Sequence, residues 1–382
     1  MNRAEARALP VTRPLTLDRL ALFDVRNLEQ AELEPARHLN VIAGNNGQGK
    51  TSILEAIYAV ATSRSFRTTK LPELIRHGAA AARIGGRFAE HWPTGNLGRQ
   101  QSLELGRKGR REIALDGTPP TSLGHYATRS PVVVFEPKQL ALTTGPASDR
   151  RTLLDRVTLF THPEAAVHRA RYTRALKERQ LLLSDRRNDR SSELEAYEAV
   201  LAEDGARLTT IRARAVDELV APLNEAFACI AAPDLSLGIR YQPGGSDDPD
   251  EVRARLAADR RADAQRKRTG HGPHRDDLEL TLDGHEARIV ASQGQHRALT
   301  LALKSAELAT IAQARGVQPI LLLDDVSSEL DAERTAALFE HLAATESQIF
   351  LTTTRRDLIV SGRPGAERAD FQVERGVVTR FT

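Results

Sequence analysis

The feature that most constrains this chain is a glycine-rich octapeptide at residues 44–51, GNNGQGKT. It fits the pattern G-x-x-x-x-G-K-[ST] of a loop that holds nucleotide phosphates. A short apolar run, LNVIA, precedes it, and the residues that follow, SILEAIYAVA, have the apolar spacing of a helix. A glycine turn without a ligand is the alternative, but the strand before the loop and the helix after it favour a phosphate site.

The residue types of this loop suit a nucleotide. Glycines let the backbone turn so that successive N–H groups point at phosphate oxygens, and the following helix adds the positive end of its dipole. The Lys50 ammonium would reach the β- and γ-phosphates, and the Thr51 hydroxyl would be a ligand of Mg²⁺. The predicted ATP-binding residues are Gly44, Asn45, Asn46, Gly47, Gln48, Gly49, Lys50, Thr51 and Ser52.

Two adjacent acids follow a second apolar run, PILLL, near the other end of the chain. In a magnesium–nucleotide site, Asp324 would hold the ion, directly or through water, and Asp325 would polarise the attacking water. An Asp-Asp pair after a strand can also be only a helix cap. Its occurrence together with the phosphate loop favours the magnesium site, with Thr51 and Asp324 as metal ligands and with Lys50 and Asp325 as catalytic residues.

The strand patterns lie at the two ends of the chain and bracket a helical stretch. Residues 150–232 contain a single glycine and are rich in Arg, Leu, Ala and Glu. After residue 270, DLELTL and EARIV flank DGH, which predicts a hairpin. We therefore predict an α/β head formed by residues 1–148 and 270–382, with a mainly helical arm inserted at residues 149–269.

The segment GHGPHRDD at residues 270–277 contains four possible metal ligands, namely His271, His274, Asp276 and Asp277. The glycine and the proline between the histidines are typical of a turn, and a third type of ligand is missing nearby. We therefore interpret this segment as a structural turn at the junction of the arm and the head.

The chain has no apolar run of bilayer-spanning length, and its basic N-terminus lacks the apolar core of a secretory signal. Its single cysteine, Cys229, excludes an internal disulfide bond. These features predict a cytoplasmic protein.

Two helical stretches of the arm are basic. Residues 171–190 and 251–268 each contain seven cations and three acids, a net charge of +4. DNA phosphates are neutralised by such clusters, although a solvated, salt-bridged helix surface has the same composition. The few aromatic residues favour contact with a duplex backbone over stacking on single-stranded bases. The predicted DNA-contacting residues are Arg186, Arg187, Arg260, Arg261, Arg266, Lys267 and Arg268.

The order of the motifs resembles that of ABC-type ATPase heads. A loop at residues 292–295, SQGQ, precedes a long amphipathic helix and would by its four residues alone be read as a helix cap. The resemblance implies instead that it is the signature loop, which reaches the γ-phosphate held by a second subunit. Its residues are Ser292, Gln293, Gly294 and Gln295, and Asp331 of the segment SSELD would be the D-loop acid.

The resemblance extends to the RecF family of bacterial DNA gap-repair proteins. It is carried by RSFRT after the first helix, FEPKQLALTTGPASDRRTLLDR, GHGPHRDDLEL and LLLDDVSSELDAERTAALF, in the order of that family. Lys138 stands where the family usually has an acid, and Pro146 is shifted by one position. The segment IFLTTTRR offers only Thr352, Thr353 and Thr354, as RecF proteins do, where many ABC heads have a switch histidine.

The resemblance implies an ATP- and Mg²⁺-dependent homodimer that clamps duplex DNA near gaps or single-strand junctions. Weak, DNA-stimulated ATP hydrolysis would act as a switch that releases the DNA. RecR and RecO would be partners, and the task would be to help load RecA during gap repair, replication restart and the SOS response. A P-loop phosphotransferase for small molecules and the nucleotide-binding subunit of a transporter are the alternatives; the basic arm disfavours the transporter.

Overall fold

The computed structural model describes residues 12–184, 190–230, 235–325, 345–355 and 365–381. Its strands are β1 (Arg13–Val25), β2 (Leu28–Leu33), β3 (Leu39–Ala43), β4 (Ala81–Trp92), β5 (Gly95–Gly106), β6 (Arg111–Leu115), β7 (Val132–Phe135), β8 (Leu237–Gln242), β9 (Asp277–Leu282), β10 (His285–Glu286), β11 (Val317–Gln318), β12 (Ile320–Leu323), β13 (Ile349–Thr353), β14 (Arg368–Glu374) and β15 (Val377–Phe381). Its α-helices are α1 (Lys50–Thr62), α2 (Leu123–Ala127), α3 (Ala141–Thr144), α4 (Ala147–Thr161), α5 (Ala165–Ser184), α6 (Ser191–Ile230), α7 (Pro249–Ala258), α8 (Arg260–Arg266), α9 (Ala287–Val290) and α10 (Gln293–Arg315).

The chain divides into two compact units. Unit 1 comprises residues 1–139, 229–231 and 301–382, and unit 2 comprises residues 140–228 and 232–300. The arm was predicted to comprise residues 149–269. Unit 2 instead begins at residue 140 and ends at residue 300. The reason for the later end is that β9 pairs with β8 over its whole length, from Asp277 opposite Gln242 to Leu282 opposite Leu237.

A largely parallel sheet forms one part of unit 1. Its described strands lie in the order β15-β14-β3-β13-β12-β7, and only β15 runs antiparallel to its neighbour. The strands β7, β12 and β13 are buried along their entire length. Continuous burial explains the unbroken apolar sequences VVVF and ILLL and the apolar start of IFLTT, since strands of a covered parallel sheet have no solvent side. The predicted strands at these three positions are confirmed.

Helix α1 lies in the core of unit 1, between the parallel sheet and a second, largely antiparallel sheet in the order β11-β1-β4-β5-β6. Eleven of its thirteen residues are buried, including Lys50, Ser52 and Glu55. Buried polar side chains on a helix require partners, because an unpaired buried polar group costs about 1–3 kcal/mol. Those partners lie around the glycine-rich loop at residues 44–51 and are described below.

One predicted strand is wrong. The segment EARIV, expected as the second strand of a hairpin, contributes only Glu286 to the two-residue strand β10, and its other residues form the short helix α9. Ile289 and Val290 are 75% and 51% exposed. An alternating strand is stabilised by burying one of its faces, and this segment buries only Ala287.

Candidate functional site

The phosphate loop joins the end of β3 to the start of α1, as predicted. Gly47 and Gly49 have φ angles of 78° and 120°, in the region that favours glycine. The space around the loop also excludes larger side chains at two positions. A Cβ atom at Gly49 would lie 2.9 Å from Asn27 Nδ2, and one at Gly44 would lie 2.4 Å from the carbonyl oxygen of Val373. The loop conformation is therefore available only to a sequence with these glycines.

Lys50 is the first residue of α1 and is 8% exposed. Its Nζ donates hydrogen bonds to the carbonyl oxygens of Gly44, at 2.6 Å, and Asn45, at 3.0 Å. Burial lowers the pKa of Lys50, and the nearby carboxylates of Asp325 and Asp324 oppose that shift. The ammonium group thus lies beside both acids, in a pocket where an anionic ligand would strengthen its charged form.

Thr51, Asp324 and Thr352 meet at the carboxyl ends of the parallel strands. The hydroxyl groups of both threonines donate to Asp324 Oδ1 at 2.8 Å. Burial raises the pKa of Asp324, the two hydroxyl groups lower it, and the neighbouring Asp325 raises it, with a net upward shift. A hydroxyl and a buried carboxylate in contact are the oxygen ligands that Mg²⁺ takes in nucleotide sites, so these residues fit the ion.

Thr352 also fixes the backbone of the second acid. The N–H of Asp325 donates to Thr352 Oγ1 at 2.9 Å, and Asp325 has a φ angle of 50°. Thr352 is one of the three threonines that the sequence offers in place of a switch histidine, and its contact with both acids gives it a structural role that sequence reasoning missed. The sequence pattern predicted that Thr352 lies at the end of a strand, but it did not reveal that this strand end lies beside Asp324.

Asn27 is a second residue that sequence reasoning missed. It lies in the turn between β1 and β2, and its Nδ2 donates to the carbonyl oxygen of Gln48 at 2.8 Å. Its Oδ1 accepts a hydrogen bond from the Ser52 hydroxyl at 3.0 Å. From the other side, the N–H of Arg375 donates to Gln48 Oε1 at 2.5 Å. The loop is therefore held in shape from both sides by segments distant in sequence.

The predicted family element RSFRT is tied to α1 through Glu55, which is fully buried. Glu55 accepts two hydrogen bonds from Arg26 at 2.8 Å, one from Ser65 at 2.5 Å and one from Arg67 at 3.2 Å. Burial would raise the pKa of Glu55, but the hydrogen bonds from Arg26 and Ser65 and the charges of Arg26 and Arg67 hold it below its ordinary value. The network keeps Arg67 at the wall of the nucleotide cavity.

Glu136 is a third carboxyl group near the acids. It directly follows β7, which pairs with β12, and the N–H of Asp324 donates to the Phe135 carbonyl oxygen at 2.8 Å. Burial raises the pKa of Glu136 to about 7, against the opposing charge of Lys138 and with a smaller contribution from Asp324. Its proximity to Asp324 follows from the strand order, which the sequence does not reveal.

One cavity of unit 1, with a volume of about 1150 Å³, lies at the phosphate loop. The phosphate loop, Asp324, Asp325 and Thr352 line one part, and Arg107, Gly109, Arg110 and Arg111 line another. Seven cationic and three acidic side chains line the cavity. The cationic residues are Arg26, Lys50, Arg67, Lys70, Arg107, Arg110 and Arg111.

The loop at residues 292–295 lies in unit 2 and forms a reciprocal helix cap. Ser292 Oγ accepts from the N–H of Gln295 at 3.3 Å, and Gln295 Oε1 accepts from the N–H of Ser292 at 2.7 Å. This is the capping box that starts many helices. Ser292 and Gln293 are exposed at this helix start. The capping interpretation is thus correct for the local structure, and a contact with a second subunit stays a prediction.

The predicted DNA-contacting residues differ in their surroundings. Arg260 is tied to the buried carboxylate of Glu198, with Nη2 and Oε2 2.6 Å apart. Arg261, Arg266, Lys267 and Arg268 are exposed in and after α8. Arg186, Arg187 and the predicted D-loop acid Asp331 lie outside the described residues.

The segment GHGPHRDD forms a turn, as predicted, but it lies within unit 2 and not at a junction of the two units. His274 contacts the Tyr172 hydroxyl at 2.6 Å and the Thr269 carbonyl oxygen at 2.9 Å, and Asp276 is paired with Arg212 at 2.7 Å. Within the described parts of the chain, no three His, Cys, Asp or Glu residues are grouped so that they could hold a metal ion. None of the described helices is both long and apolar enough to cross a membrane.

The chain is similar to known proteins over most of its length. The family model described as RecF/RecN/SMC N terminal domain matches residues 16–364. The DNA replication and repair protein RecF of Myxococcus xanthus is 39% identical over 350 residues, which cover 89% of this chain and 91% of the relative. RecF of Anaeromyxobacter dehalogenans strain 2CP-C is 41% identical over 374 residues, 94% of this chain and 98% of the relative.

Solved structures give the same result for the fold. A structure of the recombination mediator protein RecF–ATPrS in the RecFOR pathway has a TM-score of 0.86 and 26% identity, covering 98% of this chain and all of the other. The Smc head domain from Pyrococcus furiosus, with an extended coiled coil and bound to the C-terminal domain of ScpA, has a TM-score of 0.55 and 15% identity, with 96% of each chain covered. The predicted fold, an ABC-type ATPase head with mixed α/β structure, is confirmed.

Proposed function

The chain belongs to the RecF family, and we therefore propose that it is an ATP-dependent DNA-binding protein of recombinational gap repair and replication restart. The observation that carries the proposal is the contact of Thr51 and Thr352 with Asp324 beside the phosphate loop. A loop that only turned the chain would not need a buried acid and two hydroxyl groups aligned at its end. The near-complete coverage of relatives named for DNA replication and repair supports the biological role.

ATP binds with its phosphates in the loop at residues 44–52. The backbone N–H groups and Lys50 Nζ bind the β- and γ-phosphates, and Thr51 and Asp324 hold Mg²⁺. When bound, Mg²⁺ neutralises charge on the phosphate oxygens. Asp325 polarises the attacking water, and Thr352 keeps both acids in place through its two hydrogen bonds. We expect hydrolysis to be slow, because the residue that polarises the water is an aspartate and because the chain offers threonines in place of a histidine contact to the γ-phosphate.

ATP also joins two copies of the chain. Ser292, exposed at the start of α10, contacts the γ-phosphate held by the partner copy, so nucleotide is required for the dimer. The dimer clamps duplex DNA near a gap or a single-strand junction, DNA stimulates the weak hydrolysis, and ADP formation releases the DNA. RecR and RecO are the protein partners and RecA is the protein that is loaded, in the cytoplasm, during the SOS response; the relative solved in the RecFOR pathway supports these partners.

Sedimentation of the protein with and without ATP tests this proposal. The wild type should be a monomer without nucleotide and a dimer in saturating ATP, and duplex or gapped DNA should sediment with the dimer. Lys50→Ala should lose ATP binding and the dimer, whereas Ser292→Arg should bind ATP but stay monomeric. Asp325→Asn should bind ATP and keep the dimer on DNA for longer. A wild-type protein that remains monomeric in saturating ATP contradicts the proposal.

A further inference from the structure

The turn between β5 and β6 holds the densest run of cations in the chain. Residues 107–111 read RKGRR, four cations in five residues, and all five are exposed. The run lies outside the arm stretches that sequence reasoning singled out for DNA. The simplest explanation of such a run is a solvated turn with scattered charges. The geometry and the surroundings of the turn distinguish this explanation from an anion-binding site.

The turn is a fixed structure. The strands pair up to Leu105 opposite Arg111, and the N–H of Gly106 donates to the Arg110 carbonyl oxygen at 2.8 Å. Gly109 has a φ angle of 82°, which favours glycine at the tip. Arg107 is anchored by hydrogen bonds to the carbonyl oxygens of Ala79, at 2.5 Å, and Arg76, at 2.9 Å. These carbonyl groups position the guanidinium without neutralising its charge.

The other cations of the turn differ in their pairing. Arg110 forms an ion pair with Glu112 at 2.7 Å. Within the described part of the chain, Lys108 and Arg111 form no ion pair. The turn therefore presents three cationic side chains whose charge is not balanced by a contacting carboxylate. An arginine held in place loses little further entropy when it binds a phosphate, which suits it to anion recognition.

The turn adjoins the nucleotide site. Arg107, Arg110 and Arg111 line the same cavity as the phosphate loop, and exposed Lys70 lines it as well. At about 1150 Å³ the cavity exceeds the roughly 300–1,000 Å³ of most small-ligand sites. The phosphates of a nucleotide are accommodated at the loop, beside Lys50, which leaves the cations of the turn available to a second anion.

We propose that the turn at residues 106–111, together with Lys70, binds the phosphate backbone of duplex DNA at the rim of the nucleotide cavity. This inference rests on the proposed function and names the DNA-contacting surface within unit 1. The run RKGRR contains no aromatic residue to stack on bases and presents exposed charges, which favours contact with phosphates without base readout. DNA at this rim lies beside Arg67 and Lys70, so that DNA and nucleotide affect each other's affinity reciprocally.

A duplex-DNA titration in saturating ATP, repeated at several salt concentrations, tests the proposal. The double variant Lys108→Gln/Arg111→Gln should bind about tenfold more weakly near 0.1 M salt. Loss of two phosphate contacts should reduce the slope of log affinity against log salt by about two. Binding of a fluorescent ATP analogue and the denaturant midpoint should be unchanged.

Two matched variants serve as controls. Arg37→Gln/Arg380→Gln removes the same charge from exposed positions that do not line the cavity, and its DNA affinity should stay within about twofold of the wild type. Arg266→Gln/Lys267→Gln measures the contribution of the arm. If Lys108→Gln/Arg111→Gln binds duplex DNA with the affinity and the salt slope of the wild type, this inference alone is overturned. If the wild type does not bind duplex DNA, the proposed function and this inference are overturned together.

Discussion

At the scale of single residues, hydroxyl groups determine the geometry of the two acids as much as charges do. Thr352 is fully buried, and its one oxygen donates to Asp324 and accepts from the N–H of Asp325. It thus links the position of Asp324, the proposed magnesium ligand, to that of Asp325, the proposed water-polarising residue. Buried groups of this kind are costly to remove, because the partner left behind stays dehydrated and unpaired.

Replacing Thr352 by valine, which keeps the shape and removes the hydroxyl group, should lower the rate of ATP hydrolysis about 10- to 100-fold. ATP affinity should change less than threefold, because the phosphate loop is untouched. Steady-state hydrolysis and nucleotide titration measure the two effects separately. Thr352→Ser, which restores the oxygen, should recover most of the rate; a serine variant as slow as the valine variant would contradict this role.

Glu136 predicts a pH dependence of stability. Its pKa in the folded protein is about 7, against 4.5 for the ordinary carboxyl group. Folding thus favours the protonated form, and the free energy of unfolding falls as pH rises from about 4.5 to about 7. Glu136→Gln removes this penalty and should stabilise the nucleotide-free protein at pH 8 by about 2 kcal/mol more than at pH 5.

Denaturant unfolding at the two pH values measures the effect of Glu136→Gln. Glu34→Gln, at an exposed position of the same unit, is the control and should change stability equally at both values. An equal effect of Glu136→Gln at pH 5 and pH 8 would show that the carboxyl group is ionised normally.

At the scale of elements, arginine–carboxylate contacts join the helices of unit 2. Arg179 of α5 is fully buried and contacts Glu198 of α6 at 3.0 Å and Asp263 of α8 at 2.7 Å. Arg179 belongs to the basic stretch at residues 171–190 that was predicted to contact DNA, but its charge instead stabilises packing within unit 2. A net charge counted along a helix does not distinguish these uses, because buried and exposed arginines contribute equally to it.

Arg212 offers a test of how much such a contact contributes to the free energy of unfolding. It is 5% exposed and joins α6 to Asp155 of α4 and Asp276 of the GHGPHRDD turn, each at 2.7 Å. Burial would lower the pKa of Arg212, but the charges and hydrogen bonds of Asp155 and Asp276 raise it above its ordinary value. Arg212→Ala leaves both carboxylates without this partner and should destabilise unit 2 by about 3–5 kcal/mol.

The denaturant midpoint measures this loss. Arg214→Ala, at an exposed position two residues along the same helix, should change the free energy of unfolding by no more than about 0.5 kcal/mol. A loss at Arg212 as small as that at Arg214 would mean that the contact does not stabilise the unit.

At the scale of the whole molecule, the functional parts are divided between the two units. Unit 1 contains the phosphate loop, both acids and the cationic turn, and unit 2 contains Ser292 and the exposed cations of α8. The division makes the proposed steps separable by mutation. Lys50→Ala should change nucleotide binding, Ser292→Arg should change assembly, and Lys108→Gln/Arg111→Gln should change DNA contact, each with its own measurement.

Local sequence was sufficient to identify the phosphate loop, the helix after it, the pair Asp324–Asp325 and the buried strands β7, β12 and β13. Each of these depends on backbone freedom or on burial over a few consecutive residues, which composition and spacing record. The same local patterns failed at EARIV, because its apolar residues find no core to cover.

The contacts of Thr352, Asn27 and Glu136 with the site arise from the strand order β3-β13-β12-β7 and from the turn between β1 and β2. Strand order is set by pairing between segments hundreds of residues apart, for which a single sequence carries no local signal. The same holds for the cations. RKGRR and the arm helices look alike as charge runs, and only packing shows that Arg179 is buried, that Arg260 is held by Glu198, and that Arg107 and Arg111 line the nucleotide cavity.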